Sequence, residues 1–306
     1  MIIEIRAKNC YAFENEITFS MKADMRYKKF GTNVHKVKNF NILKSAGIYG
    51  PNNVGKTCLI KCMRAIKAVL LNKKNNLMPN IFTECTVCEL GVTFVALGRT
   101  FSYDFKYDTE KQAYIYESFS EIIKDQYNNE KEVCWLKKDS IGEVYECLDK
   151  DVQNMISVMS NNTLLCYIID TSKFEHVDEM KQILVGFAKK IDIINMNNIP
   201  MQHTIELMKN KNQLQEKVVE FIKNADLYMD NFEFVDIEKI QRKASDDQEK
   251  PEEKVLDIPE NIMDQIRLVS TYKGVHVPSM LFDSTGTKKI AAIASYVIEA
   301  LEQGKI

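Results

Sequence analysis

Residues 50–57 restrict the fold of this chain more than any other segment. They are Gly-Pro-Asn-Asn-Val-Gly-Lys-Thr, which matches G-x-x-x-x-G-K-[ST], the phosphate-binding loop (P-loop) pattern. The glycines let backbone N–H groups approach phosphate oxygens closely, and the following helix directs its positive dipole end at the same anion. The pattern therefore predicts a strand, a loop and a helix in that order.

The residue types of this loop suggest how it would hold a nucleoside triphosphate. The ammonium of Lys56 is expected between the β- and γ-phosphates, and the hydroxyl of Thr57 is expected to ligate a magnesium ion. The predicted nucleotide-binding residues of the loop and first helical turn are Gly50, Asn52, Asn53, Val54, Gly55, Lys56, Thr57 and Cys58.

The sequence on either side of the loop favours this interpretation. Upstream, residues 46–49 (Ala-Gly-Ile-Tyr) are mostly apolar and predict a buried strand that enters the loop. Downstream, apolar residues recur on one face of a helix. The alternative is a turn rich in Gly and Asn before an ordinary helix, which meets fewer of the requirements of the motif. The apolar helical positions are Leu59, Ile60, Met63, Ile66, Val69 and Leu70.

Composition limits the classes of protein that fit. The 306 residues can form one large domain or two smaller ones, and 45% of them are hydrophobic. The net charge of −2 gives no global attraction to nucleic acid, although it does not exclude a local basic patch. The eight cysteines follow no secretory signal, so we expect free thiols in a cytoplasmic protein. Cys85 and Cys88 form a lone C-x-x-C pair, which favours a structural role over a metal site. No apolar run reaches the ~20 residues of a membrane span.

Periodicity divides the chain into three predicted regions. Residues 1–145 should hold the P-loop and antiparallel strands, residues 146–265 a mainly helical insertion with a mobile loop at 242–254, and residues 266–306 a final helix. The predicted strands are at 2–5, 17–19, 90–97, 100–105, 114–119, 133–136 and 232–237, and the predicted helices include 152–159, 180–187 and 205–222.

The final helix opens with a second motif. Residues 283–289 are Asp-Ser-Thr-Gly-Thr-Lys-Lys, and small hydroxyl residues with glycine at a helix N-terminus can expose donors to an anion. The alternative is a simple N-cap formed by Ser284 or Thr285.

Together, the two motifs and the order of the elements resemble the ABC-type ATPase domain of the OLD/RecF/SMC group. The chain is similar in particular to the AAA-type ATP-binding proteins of OLD-like nucleases and of bacterial anti-phage abortive-infection systems. The resemblance covers most of the chain. It implies an α/β fold, a P-loop NTPase of ABC-ATPase type whose mixed sheet carries an antiparallel β subdomain and a helical insertion.

The resemblance also implies ligands and partners. ATP and Mg²⁺ would be held by the P-loop of one subunit, while Ser284, Gly286 and Thr287 of another subunit contact the γ-phosphate. A homodimer or higher homo-oligomer follows, together with an effector protein or a C-terminal effector domain, DNA as a further candidate partner, and no membrane. Tyr11 and Phe13 are candidates to contact adenine, with core packing as the alternative.

One departure from the family bears on catalysis. In the family, an apolar strand ending in Asp-Glu, the Walker B motif, follows the signature helix and positions Mg²⁺ and the attacking water. The sequence ends at Ile306, where that strand would begin, and the nearest similar segment, residues 167–170 (Tyr-Ile-Ile-Asp), is out of order. We therefore expect a fragment or the first half of a split protein, with no assigned catalytic residue and slow hydrolysis.

Three functions remain open on this basis. The first is an ATPase module that gates a nuclease or another effector in anti-phage defence. The second is a nucleotide-binding or scaffold module without turnover. The third is a DNA-repair ATPase of the RecF or SMC type, although no heptad run is long enough for the coiled-coil arms of an SMC protein and the weak basic character argues against RecF.

Overall fold

The computed structural model describes residues 1–27, 29, 31–37, 40–124, 129–156, 174–195, 199–209, 213–225, 228–235, 264 and 266–305. They form a mixed α/β protein with a large antiparallel sheet and several helices. The chain divides into two compact units, Met1–Ile193 and Ile194–Lys305. The predicted mobile loop at 242–254 and the segment at 167–170 lie outside the described residues.

The first unit contains most of the strands. Its elements in chain order are β1 (Ile2–Lys8), β2 (Ile17–Ser20), a short 3₁₀ helix (Gly31–Asn33), β3 (Val34–Val37), β4 (Phe40–Leu43), α1 (Lys56–Leu70), β5 (Val87–Ala96), β6 (Arg99–Asp108), β7 (Ala113–Lys124), β8 (Glu130–Asp139), β9 (Val144–Cys147), α2 (Lys150–Ile156) and α3 (Glu175–Lys189).

Seven strands of this unit form one sheet in the order β2-β1-β5-β6-β7-β8-β9, and each neighbouring pair is antiparallel. The predicted strands at the N-terminus and in the region 90–136 are confirmed. The β5–β6 turn is centred on Leu97 and Gly98, with φ of 51° and 71°, the backbone that a tight two-residue hairpin needs. The sequence had placed this turn one residue later, at Gly98 and Arg99.

Aromatic side chains on one face of this sheet form the core of the first unit. Phe101, Tyr103 and Phe105 alternate along β6 and are fully buried, as the two-residue period of a strand requires. Phe94 of β5 stacks on Phe187 of α3 with ring centroids 3.9 Å apart. Helix α1 packs its apolar face into the same core, so the end of the P-loop is fixed to a rigid layer.

The strand predicted at residues 46–49 does not form. These residues have no regular structure and are exposed, and Tyr49 is 93% exposed. A strand of four residues gains stability from ladder hydrogen bonds and from burial of at least one face. No described strand pairs with this segment, so its apolar composition alone is insufficient.

The second unit combines helices with a small sheet. Within the predicted helical segment 205–222, residues 205–209 and 213–222 are helical, and the strand predicted at 232–237 is observed at Asn231–Phe234. The strand pair 268–278 was not predicted, because its polar residues break the apolar alternation. The elements are α4 (Gln202–Lys209), α5 (Gln213–Ala225), β10 (Asn231–Phe234), β11 (Leu268–Tyr272), β12 (Val275–Pro278), α6 (Ser279–Phe282) and α7 (Thr285–Gln303).

Helix α7 is the centre of the second unit. It packs against α4 and α5, and its buried face includes Ala291, Ala294 and Ser295. The hydroxyl of Thr204 on α4 donates to the carbonyl of Ala291 at 2.9 Å, and its oxygen lies 2.9 Å from that of Ser295. Small side chains thus bring the two helices close together. No helix in the described parts of the chain is long and apolar enough to cross a membrane.

Candidate functional site

The P-loop leads directly into helix α1. Gly55 is the N-cap residue of this helix, with φ of 94° and ψ of 5°, and Lys56 is the first helical residue. The amide of Leu59 donates to the carbonyl of Gly55 at 3.0 Å, which closes the first turn. The loop and helix of the predicted unit are therefore confirmed, although the strand before them is not.

Two separate constraints require glycine at position 55. Its φ lies in the left-handed region, which side chains with a Cβ rarely adopt. A Cβ at this position would also lie 2.8 Å from Cε1 of the Phe13 ring. The opening hairpin therefore touches the end of the P-loop through Phe13, which is partly buried against the main core.

Lys56 folds back across the loop. Its ammonium donates to the carbonyl oxygen of Gly50 at 2.7 Å and also to the carbonyl oxygen of Pro51. These contacts hold the cation against the start of the loop rather than extended into solvent. A phosphate that enters the loop would offer this ammonium stronger, charged acceptors than the two carbonyls.

The N-terminus of α1 is suited to an anion. No side chain caps it, and its first turn contains no acidic residue. The first N–H groups of a helix lack partners within it, and together with the helix dipole they favour negative charge. Residues 50–54 and Thr57 are exposed, while Gly55 is buried. The residues present therefore fit a phosphate group, with the Thr57 hydroxyl accessible to a hydrated magnesium ion.

Tyr11 and Phe13 have different surroundings beside this loop. Phe13 faces Gly55, whereas the ring of Tyr11 lies under the ammonium of Lys61 at 5.5 Å. Both side chains are partly buried and pack against the main core. Of the two, Phe13 is the one that the structure places against the P-loop.

The second motif forms the N-terminus of α7. The Oγ atom of Ser284 accepts a hydrogen bond from the backbone N–H of Thr287 at 3.1 Å and lies 2.9 Å from the Thr287 hydroxyl. Ser284 is thus an N-cap, the alternative that the sequence left open. Thr285 and Gly286 are exposed and Thr287 is buried. The first turn contains no acidic residue, so the exposed N–H groups face no fixed negative charge of their own helix.

The buried carboxylate of Asp283 holds the residues before α7 in place, a role that the sequence pattern does not predict. Asp283 accepts hydrogen bonds from the hydroxyls of Ser270 at 2.6 Å, Tyr272 at 2.9 Å and Ser279 at 2.5 Å. Three O–H donors can satisfy a buried carboxylate without a cation. The only sequence signal was an Asp directly before the cap residue Ser284.

The cysteines show no metal-binding arrangement. The seven in the described residues are free thiols, and Cys10, Cys62 and Cys88 are buried whereas Cys85 is exposed; Cys166 lies outside those residues. Cys58, directly after Thr57, is partly buried. Within the same parts of the chain, no group of His, Cys, Asp and Glu side chains is placed to hold a metal ion.

Comparison with known proteins adds no assignment. No protein-family model matches the chain, and no curated protein matches its sequence.

Proposed function

We propose that this chain is the ATP-binding module of a dimerising ATPase of the ABC type, similar to the OLD/RecF/SMC group. The observation that carries the proposal is the loop of residues 50–57, which caps α1 with a left-handed glycine and holds the ammonium of Lys56 over its own carbonyls. The mixed α/β architecture is observed, and the assignment to the P-loop NTPases is part of the proposal.

Particular residues would divide the work of holding ATP and Mg²⁺. Lys56 and the N–H groups of residues 52–58 would bind phosphate oxygens, and Thr57 would ligate the magnesium ion, which supplies charge neutralisation for the phosphates. In the partner subunit, the exposed N–H groups around Gly286 would approach the γ-phosphate, with Ser284 and Thr287 fixing the end of the helix.

Dimer closure around ATP would then control an effector. In this proposal, the effector is a nuclease or another toxic activity in anti-phage defence, carried by a separate protein or by a C-terminal domain, and DNA is a candidate partner. The cytoplasm is the compartment that provides ATP and such partners.

Nucleotide titration of the purified chain tests the proposal. We expect a fluorescent ATP analogue to bind in the presence of Mg²⁺, and Lys56→Ala to weaken binding roughly 10- to 100-fold, because a hydrogen bond to a charged group contributes about 1.5–3 kcal/mol. Lys189→Ala is the matched control, since Lys189 is an exposed lysine at the end of α3 in the same unit. Equal effects of the two substitutions would contradict the assignment of the P-loop.

A nucleotide-binding module without turnover is the second candidate. One observation favours it: within the described parts of the chain, no carboxylate forms a hydrogen bond or an ion pair with Lys56 or Thr57. A phosphate-release assay separates the two candidates. Release that depends on Lys56 at ordinary enzymatic rates, about 1 s⁻¹ or more, supports an ATPase, whereas ATP binding without such release supports the second candidate.

A further inference from the structure

A second cleft lies beside the segment that follows α1. It has a volume of about 880 Å³ and is formed by residues 72–78, which follow α1, and by the β6–β7 turn with its flanking residues 107–114. The residues that line it include none of the P-loop, so a ligand in this cleft is distinct from a nucleotide at the P-loop.

The first wall of the cleft is held rigidly. The amide of Tyr11 donates to the carbonyl of Met78, and its hydroxyl donates to the carbonyl of Asn76, both at 2.9 Å. The side-chain amide of Asn75 donates to the hydroxyl of Tyr114 at 2.8 Å, which connects the two walls. Pre-organised walls lower the conformational cost of binding a ligand.

The second wall is fixed by a buried carboxylate. One oxygen of Asp108 accepts from the amides of Glu110 and Lys111 and from the hydroxyl of Thr86, at 3.1–3.2 Å. Burial alone would raise the pKa of Asp108, but these hydrogen bonds hold it below its ordinary value. The carboxylate therefore stays ionised near neutral pH and maintains the turn.

The cleft carries an excess of positive charge in a chain that is slightly acidic overall. Lys73, Lys74 and Lys111 line it together with one acidic residue, Glu110. Within the described residues, Lys73 and Lys74 form no ion pair, and the ammonium of Lys111 lies 3.7 Å from a carboxylate oxygen of Asp108. Lysine ammonium groups can bind phosphate as point charges.

The remaining lining combines aromatic rings with side-chain amides. The rings of Tyr107 and Tyr114 lie 4.9 Å apart, and burial raises the pKa of both phenols, so their hydroxyls stay protonated at neutral pH. Asn72, Asn76 and Gln112 also face the cleft. An amide offers both a donor and an acceptor, as the edge of a nucleobase does, whereas a carboxylate of an acidic peptide offers acceptors only.

We propose that this cleft binds a nucleotide unit, with its phosphate against Lys73, Lys74 and Lys111 and its base against the tyrosine rings and the amides. The unit could be a free nucleoside monophosphate or part of a single-stranded nucleic acid, because both present the same chemistry. This site shares no lining residue with the P-loop.

Fluorescence anisotropy with the full chain and a labelled hexathymidylate tests the proposal, with uridine monophosphate as competitor. We expect the double substitution Lys73→Gln with Lys74→Gln to weaken binding about tenfold or more and to reduce the salt slope by roughly 1.4, or about 0.7 for each lost phosphate contact. The matched control is Lys189→Gln with Lys190→Gln, another exposed pair at the end of a helix in the same unit. This control should leave binding unchanged.

Two further variants identify the ligand and the site. Tyr107→Leu should weaken binding at least fivefold if the base contacts the rings, since base stacking contributes about 1–3 kcal/mol. Lys56→Ala should leave binding unchanged. Displacement by uridine monophosphate supports a free nucleotide, and variant-sensitive binding without displacement supports a strand.

Several results would overturn the proposal. Equal weakening by both lysine pairs would indicate non-specific attraction. Loss of binding in Lys56→Ala would place the probe at the P-loop. Displacement by polyglutamate at equal charge, together with no effect of Tyr107→Leu, would assign the cleft to an acidic peptide.

Discussion

At the scale of single residues, Gly55 connects the P-loop with the opening hairpin. Its backbone has φ of 94°, and a Cβ there would approach the Phe13 ring to 2.8 Å. The motif predicted the glycine from its role towards phosphate. The contact with Phe13 could not be predicted, because it depends on how the turn after β1 folds against the start of α1.

We predict that Gly55→Ala destabilises the protein and weakens ATP binding. The left-handed conformation should cost roughly 1–3 kcal/mol for alanine, and the contact with Phe13 should add to this cost. Urea unfolding gives the first quantity, and titration with an ATP analogue gives the second.

Gly98→Ala is the control for this prediction. Gly98 has φ of 71°, but no atom lies within 4 Å of a Cβ there, so this variant reports the cost of the backbone alone. If Gly98→Ala destabilises the protein as much as Gly55→Ala, the Phe13 contact contributes nothing. Because Phe13 also packs against the core, a double-mutant cycle isolates the contact: Gly55→Ala should cost less in the Phe13→Ala background than in the wild type.

Arg99 joins three elements of the first unit. It binds both carboxylate oxygens of Glu121 on β7 and donates to Glu179 on α3 at 2.9 Å. Its guanidinium also lies 4.8 Å from the Trp135 ring centroid and 5.1 Å from that of Phe101. The hydrogen bond to Glu121 raises the pKa of Arg99. A planar, always charged fork suits this site better than an ammonium.

We therefore predict that Arg99→Lys lowers the free energy of unfolding by roughly 1–3 kcal/mol, the range for hydrogen bonds to charged groups. Thermal and urea unfolding measure the change. Arg26→Lys is the control, because Arg26 also binds an aspartate, Asp24, but its side chain is 87% exposed. The control should show no measurable change, and a similar loss in both variants would refute a role for the partly buried surroundings of Arg99.

At the scale of elements, the sequence predicts what is locally encoded. Strands β1, β2 and β5–β8 follow from apolar alternation, and α1 follows from its apolar face. Residues 46–49 have strand-like composition, yet they stay exposed because a strand needs a neighbour that local sequence cannot supply. The β11–β12 pair is the opposite case: it forms although its residues are not strongly apolar. Ser270 is buried in this pair because its hydroxyl donates a hydrogen bond to Asp283.

Helix α1 carries Cys62 on its buried face, and this thiol should make the stability of the protein depend on pH. Burial raises the pKa of this thiol from its ordinary value of about 9 to about 12. Below pH 9 the thiol is protonated in both the folded and the unfolded chain, and its stabilising contribution is complete. Between pH 9 and 12 the thiol is ionised in the unfolded chain but still protonated in the folded one. The free energy of unfolding should therefore fall by up to about 1.4 kcal/mol per pH unit because of this group.

Urea unfolding of the wild type and of Cys62→Ala at several pH values checks this prediction. The variant should be less stable at pH 7 because it leaves a cavity, but its stability should fall less steeply between pH 9 and 12. Cys85→Ala, at an exposed thiol, should keep the slope of the wild type. Parallel slopes in all three proteins would contradict the prediction.

At the scale of the whole molecule, the sequence identifies the two motifs but does not predict which compact unit each one belongs to. The P-loop belongs to the unit Met1–Ile193, and the α7 N-terminus belongs to the unit Ile194–Lys305. The division depends on which side chains share a core, and the two cores have separate members. Helical periodicity could not predict that division, because it shows which face of a helix is buried but not which other element covers that face.

The proposed composite site predicts a specific pattern in mixed dimers. If the P-loop of one chain meets Ser284 of another, Lys56→Ala and Ser284→Arg should each weaken ATP-dependent dimerisation. Ser284→Arg replaces the cap and puts a bulky side chain at the helix end, so Ser284→Thr, which keeps a capping hydroxyl, is the control for folding. Native mass spectrometry with ATP and Mg²⁺ measures the dimer population.

Mixing the two variants then distinguishes a site between chains from one within a chain. A heterodimer of Lys56→Ala with Ser284→Arg contains one doubly altered site and one site in which both residues are intact. It should therefore form at lower ATP concentrations than either variant homodimer and should hold about half as much tightly bound ATP as the wild-type dimer. A site within a single chain would be damaged in every subunit, so mixing would restore nothing. Dimerisation of either single variant at the wild-type ATP concentration would likewise refute the composite site.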